Sequence, residues 1–383
     1  MGAPQSSTEL NVTELPVQVP APVIAPLCAH PSQDLYVIGV TGTNGKTTVA
    51  YLIGEVLKAA GHKPFVLGTL NSGNRDLSTP EGPDIINFMR AHLKNGGTHF
   101  VMEVTSEGID QDRVDGVEFD VKILTNITRD HLDYHKTFQN YESTKLRFMD
   151  AGLAHKIYPK SFHDTAIDFV PQLLGDFNYL NIQAAACALR YMGVEETYIH
   201  NTLSTCRPPR GRMEGVEKGQ SYLVLVDYAH TPDGLESVLK TAKGLAKQRN
   251  GRLLVLFGCG GNRDRGKRPK MGKIASEVAD LLVITDDNPR SESSQTIMDE
   301  IFSGVHLDFD ACVLIENRRA AIEHIIKDAR PNDVVILAGK GHEMHQITNS
   351  GTFHFDDREE AENAITLHLK IDSNIQRPIL ITN

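Results

Sequence analysis

The sequence has few cysteines and no long hydrophobic run. Five cysteines are spread over 383 residues without a C-x-x-C pair, which argues against a disulfide framework and against a structural zinc site. This usage fits a reducing compartment, and we expect a cytoplasmic protein. The longest apolar runs, such as Leu253–Phe257 and Val334–Ala338, are about strand length, far short of the roughly 20 residues that a membrane span needs. No association with a membrane is therefore expected.

Basic side chains are also fewer than acidic ones. The chain carries 39 basic and 49 acidic side chains, a net charge of −10. Such a surface repels phosphate backbones, so nucleic acid is not an expected partner, although a local basic pocket for a small anion is compatible with it. With 40% hydrophobic and 23% charged residues the composition is that of a globular protein, and the length predicts two or three domains of roughly 150 residues each.

The N-terminal segment differs from the rest of the chain. Residues 1–34 alternate proline with small residues and have no basic stretch before an apolar one, which predicts a flexible leader and not a signal peptide. Disorder is expected up to residue 29.

From residue 35 onward the pattern is that of an α/β protein. The apolar run 35–40 is followed by a glycine-rich turn and by apolar residues at helical spacing up to Gly61, which predicts a strand, a turn and a helix. Further strand-like runs alternate with helical stretches and predict mostly parallel sheets with helices on both faces. These runs are 98–104, Val121–Leu124, 222–226, 253–258, 281–285 and Val334–Ala338. The basic, proline-containing stretch 207–212 is the expected linker between two α/β halves.

The turn after the first strand carries the strongest chemical signal. Its glycines let the backbone wrap a phosphate, the first amides of the following helix face an anion, Lys46 can reach terminal phosphates, and Thr47 can hold Mg²⁺. The spacing departs from the strict G-x-x-x-x-G-K-[ST] motif, and a glycine-rich turn with a surface lysine is the alternative. The flanking strand and helix favour nucleotide binding by Gly42, Thr43, Asn44, Gly45, Lys46, Thr47 and Thr48.

Acidic residues and histidines follow two later strands. Glu103 ends one predicted strand, and Asp130 and His131 come shortly after the next. Because the carboxyl ends of parallel strands line the ligand crevice, a carboxylate and an imidazole placed there suit a divalent cation beside ATP phosphates. A capping or surface role is the alternative for such a pair.

Ten sequence blocks, in this order, resemble those of the Mur ligase superfamily, and most closely its MurE branch. They are IGVTGTNGKTT, EVTSEGIDQDRV, TNITRDHLDYH, YESTKLRF, GDFNYLN, GRMEGV, VDYAHTPDGL, FGCGGNRDRGKRP, TDDNPRSE and AGKGHE. The resemblance extends from Pro31 to Glu343. It implies an ATP-binding central domain at 35–209 and a Rossmann-like, amino-acid-binding C-terminal domain at 210–383.

The resemblance also implies a reaction. Members of this branch use ATP to activate a carboxylate of UDP-N-acetylmuramoyl-L-Ala-D-Glu as an acyl phosphate, and the amine of meso-diaminopimelate then displaces phosphate, a step of peptidoglycan precursor synthesis. The implied cofactors are ATP, Mg²⁺ and a carbamylated lysine. The implied catalytic residues are Lys46, Glu103, His131 and Lys145, and the implied metal-binding groups are Thr47, Glu103, His131 and Lys145 as its carbamate.

The remaining functional residues are assigned by the same resemblance. Further nucleotide contacts are expected from Asn178, Asn181, Arg212, Asp227 and His230; the incoming amino acid is expected to contact Arg263, Asp287, Asn288, Arg290, Gly339 and Glu343; the acceptor is expected to contact Ser78, Thr79, Thr105, Gln111 and Arg113. A guanidinium at position 290 suits the distal carboxylate of diaminopimelate, which lysine lacks. Simpler alternatives are an N-cap role for the two asparagines and a solvated helix position for Lys145.

Two departures from the family pattern concern the acceptor. Glu107 stands where the family has a histidine, and the family's N-terminal UDP-binding module is not recognisable in 1–34. The UDP module could be supplied by a partner chain. The alternatives left open are the same chemistry on a UDP-free acceptor and a non-catalytic binding protein.

Overall fold

The computed structural model describes residues 30–72 and 77–375. The disorder expected up to residue 29 lies outside these residues. The last part of the predicted leader, Pro31–Asp34, forms a 3-10 turn in which Pro31 and Ser32 are buried. The hydroxyl of Ser32 accepts a hydrogen bond of 3.2 Å from the amide of Glu118, so this turn is packed against the protein.

The first sheet has five parallel strands in the order β2-β3-β1-β4-β5. They are β1 (Tyr36–Thr41), β2 (Pro64–Leu67), β3 (His99–Glu103), β4 (Val121–Leu124) and β5 (His155–Ile157). The helices of this part are α1 (Lys46–Ala59), α2 (Gly82–Lys94), α3 (Ser106–Asp110), α4 (Leu132–His135), α5 (Phe138–Asp150), α6 (Pro159–His163), α7 (Asp176–Tyr191) and α8 (Glu196–Thr205).

The second sheet has six strands in the order β10-β9-β8-β11-β7-β6, parallel except for β6. They are β6 (Glu214–Gly215), β7 (Leu223–Asp227), β8 (Leu253–Phe257), β9 (Leu281–Ile284), β10 (Cys312–Leu314) and β11 (Val334–Ala338). Helices α9 (Pro232–Arg249), α10 (Arg268–Val278), α11 (Ser294–Phe302), α12 (Arg318–Asp328) and α13 (Asp357–Ile375) belong to this part. Strands β12 (His345–Thr348) and β13 (Gly351–His354) form a separate antiparallel hairpin.

Both main sheets are covered on two faces, as their sequences require. The central strands β8 and β11 are apolar and buried along their whole length, which is the pattern of a parallel strand packed by helices on both sides. In the first sheet one core cluster includes residues of α1, α7 and α8, and another includes residues of α2 and α5. The α/β prediction is confirmed. In such folds, ligands bind in crevices at the carboxyl ends of the strands.

The long central strands were predicted correctly, within one or two residues. The short strands β2, β5, β6 and β10 and the hairpin β12–β13 were not predicted. Within the described residues, no helix is both long enough and apolar enough to cross a membrane.

Candidate active site

The turn after β1 lies at the carboxyl end of the central strand of the first sheet, since β1 is between β3 and β4. Gly42 and Gly45 have φ angles of 140° and 87°, values that favour glycine. A Cβ on Gly42 would lie 1.9 Å from Thr125 Oγ1, and one on Gly45 would lie 2.3 Å from Asn181 Oδ1. Side chains are therefore excluded at both positions. No side chain caps α1, so its first amides are placed to meet an anion.

Lys46 folds back over this turn. Its Nζ donates to Gly42 O at 2.9 Å and to Thr43 O at 2.8 Å. Burial lowers the pKa of Lys46, an effect that Glu103 and Asp130 partly oppose. Phosphate oxygens are stronger acceptors than carbonyls for an ammonium, so this lysine is suited to turn toward a bound nucleotide.

Glu103 is buried at the end of β3 and faces the start of α1. Its Oε2 accepts hydrogen bonds from Thr47 Oγ1 at 3.0 Å and from Thr69 Oγ1 at 3.1 Å, and its Oε1 accepts one from the amide of Thr69 at 2.8 Å. A carboxylate beside a threonine hydroxyl is a set of hard oxygen ligands that suits Mg²⁺. Thr47 and Glu103 therefore fit the predicted cation.

Lys145 is brought to the same turn from α5. Its side chain is 1% exposed, and its Nζ donates to Gly42 O at 2.9 Å and lies 4.8 Å from the ring centre of Tyr141. Burial, and next the charge of Lys46, hold the pKa of Lys145 well below its usual value. The alternative of a solvated helix lysine is wrong.

His131 is held between two carboxylates. It has a left-handed backbone, with φ 51°, at the start of α4. Its Nδ1 lies 3.3 Å from Glu107 Oε1 and its Nε2 lies 3.3 Å from Asp130 Oδ2. The hydrogen bond with His131 lowers the pKa of Glu107. In the described part of the chain, no three His, Cys, Asp or Glu side chains are arranged to hold a metal ion, and His131 would have to leave one acid to bind one.

Asn178 and Asn181 line the other side of the turn. Both are buried near the start of α7, whose N-cap is Gly175, so the N-cap alternative for these asparagines is wrong. Asn178 Nδ2 donates to Leu174 O at 2.8 Å, and Asn181 Nδ2 donates to Asn178 Oδ1 at 3.1 Å. Thr48, also predicted to bind the nucleotide, is buried in the first turn of α1.

Residues of the second half of the chain, outside its sheet, reach toward the same turn. Arg212 Nη2 donates to Thr47 Oγ1 at 3.2 Å, and its guanidinium lies 4.5 Å from the ring centre of Tyr228. Asn44 Nδ2 donates to Asp233 Oδ2 at 3.0 Å. The predicted phosphate-binding turn therefore contacts both halves of the chain.

Asp227, which is buried near Arg212, and His230, which is half-buried, are both held by the backbone. Both carboxyl oxygens of Asp227 accept amides, from Met213 at 2.7 Å and from Ala229 at 2.8 Å. Burial raises the pKa of Asp227. His230 Nδ1 lies 2.8 Å from Tyr228 O, and burial lowers the pKa of His230 to about 4. These contacts order the loop after β7.

The predicted acceptor residues form one connected network. Thr79 Oγ1 donates to Glu103 O at 3.0 Å, and Arg113 Nη1 donates to Thr79 O at 3.0 Å. The other members are Ser78, bonded to Thr69, Thr105, whose amide donates to Thr79, and Gln111, whose Oε1 accepts from Arg113. The network joins the predicted acceptor side directly to Glu103.

The predicted amino-acid residues converge after the ends of β8, β9 and β11. Arg290 and Arg263 flank Gly260, since a Cβ there would lie 2.9 Å from Arg290 Nη1 and 3.6 Å from Arg263 Cγ. Arg290 has φ 55° and donates from Nη1 to Gly261 O at 3.0 Å. Two neighbouring guanidinium groups suit a carboxylate ligand.

An acidic side faces these arginines. Asn288 Nδ2 donates to Glu343 Oε2 at 2.8 Å. Gly339 has φ 108°, and a Cβ on it would lie 2.8 Å from Asp287 Oδ2. Carboxylates such as those of Asp287 and Glu343 suit an ammonium group, and the ammonium of Lys340 lies 3.1 Å from Glu343 Oε2.

Two family models match most of the chain, the Mur ligase middle domain over residues 40–160 and the Mur ligase glutamate ligase domain over residues 211–341. A UDP-N-acetylmuramoyl-L-alanyl-D-glutamate--2,6-diaminopimelate ligase from Geobacter metallireducens is 36% identical, with a match that covers 93% of this chain and 83% of that protein. The chain belongs to the Mur ligase family. A ligase of the same name from Bacillus cereus is 35% identical over 93% of this chain and 86% of its own.

Solved structures agree with this assignment to the Mur ligase family. One of a ligase with the same name has 30% identity and a TM-score of 0.55, and the match covers 88% of this chain and 79% of that one. The structure of E. coli FolC in complex with DHPP and ADP has a TM-score of 0.63 at 18% identity, with 90% and 92% covered. The second likeness concerns the fold alone.

Two residues of this Mur ligase site were not predicted. Thr69 binds Glu103 through both its amide and its hydroxyl, but it follows a short strand that the sequence did not reveal. Lys340 is buried among the amino-acid residues, although its neighbours Gly339 and Glu343 were both predicted. A lysine between two predicted residues is a signal that could have found it.

Proposed function

We propose that the protein is an ATP-dependent ligase that joins meso-diaminopimelate to UDP-N-acetylmuramoyl-L-Ala-D-Glu in the cytoplasmic synthesis of peptidoglycan precursors. The relatives' names and the family membership support the substrates. The single structural observation that carries the proposal is the buried Lys145, bonded to the backbone of the phosphate-binding turn. A lysine buried at this turn suits the carbamate that the family resemblance implies at position 145.

Lys46 and the first amides of α1 would bind the phosphates of ATP. Thr47 and Glu103 would hold Mg²⁺, which would supply positive charge to screen the phosphates during phosphoryl transfer. A carboxylate oxygen of the acceptor attacks the γ-phosphorus, and ADP leaves. The amine of diaminopimelate then attacks the acyl carbon, and phosphate leaves with the oxygen that linked it to the acyl group.

Lys145 is proposed to act as its carbamate. An amine reacts with carbon dioxide only in its neutral form, and burial favours that form by lowering the pKa of Lys145. The product is an anionic, carboxylate-like group next to Gly42 in the phosphate-binding turn. It would complete the cation site that Thr47 and Glu103 begin.

We assign the choice of amino acid to two groups of charged side chains at the carboxyl ends of strands in the second sheet. Arg290 and Arg263 would bind the distal carboxylate, and Asp287 and Glu343 the distal ammonium, as their positions around Gly260 and Asn288 allow. We also propose that the chain divides near Arg210 into a nucleotide-binding domain and an amino-acid-binding domain, on the support of the two separate sheets.

The test supplies ATP, Mg²⁺, the UDP-muramoyl dipeptide and either diaminopimelate or lysine, and measures phosphate release and product mass. Release that requires the acceptor and diaminopimelate, with the product of matching mass, is the expected result. The Arg290→Ala variant should lose diaminopimelate turnover, whereas the surface variant Arg319→Ala should keep it. Turnover of a UDP-free acceptor alone would favour the alternative of the same chemistry on a different acceptor. ATP binding without any turnover would favour a non-catalytic binding protein.

A further inference from the structure

Lys340 is a fully buried lysine with three polar partners. Its side chain has 0% exposure. Its Nζ donates to Asn288 Oδ1 at 3.1 Å, to Glu343 Oε2 at 3.1 Å and to His345 O at 2.7 Å. A buried ammonium is costly unless it is paired and hydrogen-bonded, and here all three donor positions of the ammonium are used.

These contacts connect Lys340 to two residues of the proposed amino-acid site and to the hairpin β12–β13. Asn288 Oδ1 also accepts the amide of Ile347 at 3.0 Å. Among the described residues, the hydrogen bonds of the Glu343 side chain all go to Oε2, from Lys340 and from Asn288. This geometry fixes one oxygen of the carboxylate and keeps Oε1 for a further donor.

The pKa of Glu343 depends on the charged groups around its carboxylate. Burial raises the pKa of Glu343, and Asp287 raises it further, whereas Lys340 and the hydrogen bond from Asn288 lower it. The other groups close enough to interact with this carboxylate are Tyr228, Arg290 and Arg318. Without Lys340, Glu343 would keep its neighbouring acid Asp287 but lose a hydrogen-bonded cation, so the pKa of Glu343 would rise further.

We propose that Lys340 is a positioning residue for amino-acid recognition, which holds Oε2 of Glu343 and directs its Oε1 toward the distal ammonium of the diamino acid. This inference rests on the proposed function, because it names Glu343 as the group that reads that ammonium. Lys340 itself need not touch the ligand, since its three donor positions are already occupied by protein atoms.

The kinetic test compares Lys340→Met with Lys122→Met. Lys122 is also buried, and its Nζ donates to Phe148 O and Ala151 O at 2.7 Å each. It lies in β4 of the first sheet, away from the proposed amino-acid site. Lys340→Met should raise the KM for diaminopimelate about 10- to 100-fold, the loss typical of a hydrogen bond to a charged group, and leave the KM for ATP unchanged. Lys122→Met should leave both constants unchanged even if it unfolds at a lower temperature. Equal effects of both variants on the KM for diaminopimelate would overturn the proposal.

A double-mutant cycle and a titration complete the test. Once Glu343→Gln has been made, adding Lys340→Met should cost little further affinity for diaminopimelate; full additivity would contradict action through Glu343. In the ligand-free protein, a ¹³C-carboxyl NMR titration, assigned with Glu343→Gln, should show the Glu343 midpoint at higher pH in Lys340→Met than in wild type. Identical midpoints would refute the role of Lys340 even if the wild type proved unable to use diaminopimelate, an outcome that would refute only the proposed function.

Discussion

At the scale of single residues, buried charge marks the site. Lys46 and Lys145 both donate to the carbonyl of Gly42, although two ammonium groups repel each other there. Lysines are mostly exposed in soluble proteins because burial removes their hydration. Two buried lysines on one carbonyl oxygen therefore need charge compensation. In the proposed mechanism, nucleotide phosphates would compensate Lys46, and carbamate formation would convert Lys145 into an anion.

Replacing Lys145 tests its proposed carbamate. Lys145→Ala should reduce kcat by at least about 100-fold, the size of effect found when one electrostatic transition-state contact is lost. A small carboxylate such as acetate should restore part of the activity by occupying the place of the carbamate. Lys240→Ala, a change of an exposed lysine on α9, is the control. Unchanged activity of Lys145→Ala, measured by phosphate release, would exclude the carbamate.

Sequence reasoning located these residues but not their partners. Lys46 and Glu103 could be predicted because glycine spacing and strand ends are local features. Thr69 could not, since its importance comes from contacts with Glu103 that are made only in the folded chain. Lys340 lies between two predicted residues, but its contact with Glu343 also requires the fold. The pairing of His131 with Glu107 likewise joins two separate elements, the start of α4 and helix α3.

At the scale of elements, the unit β1, turn and α1 was predicted closely. Its apolar strand, its glycines and its helical periodicity are all encoded locally. Strands β2, β5 and β10 have three or four residues each and are only partly buried. They are stabilised by pairing with a neighbouring strand, which no local pattern records.

A matched pair of glycine variants tests the turn. Gly45→Ala places a Cβ against Asn181 at a positive φ of 87°, so it should weaken ATP binding at least about tenfold and lower stability by about 1–2 kcal/mol or more. Gly244→Ala, in α9, meets no atom within 4 Å and should raise stability by about 0.5–1 kcal/mol. Calorimetry of ATP binding and urea unfolding measure both effects. Normal ATP binding by Gly45→Ala would contradict the account of the turn.

At the scale of the whole molecule, the proposed reaction draws on both halves of the chain. Arg212 contacts Thr47, Asn44 contacts Asp233, and Arg129 Nη2 lies 3.3 Å from Asp264 Oδ2. In the proposed mechanism the first half supplies the phosphate-binding turn and the second supplies the arginine. We therefore expect the chemistry to depend on contact between the two halves.

Arg212 is the residue to change in order to test this coupling. Arg212→Ala should lower kcat about 100- to 1,000-fold, as expected for loss of a preorganised donor to developing charge, and Arg212→Lys should recover only part, because an ammonium lacks the planar fork of the guanidinium. Arg319→Ala should match wild type, since Arg319 pairs with Glu360 on the surface. Steady-state kinetics with ATP varied would reveal the effect, and wild-type kcat in Arg212→Ala would rule the coupling out.

The most direct measurement follows an oxygen atom. The acceptor UDP-N-acetylmuramoyl-L-Ala-D-Glu is prepared with ¹⁸O in its reacting carboxylate and is incubated with the protein, ATP, Mg²⁺ and diaminopimelate. If the carboxylate attacks the γ-phosphorus, the released phosphate must carry one ¹⁸O atom for every amide formed, because the linking oxygen leaves with phosphorus. Mass spectrometry or ³¹P NMR of the phosphate detects this label. Phosphate released without ¹⁸O would contradict ligation through an acyl phosphate.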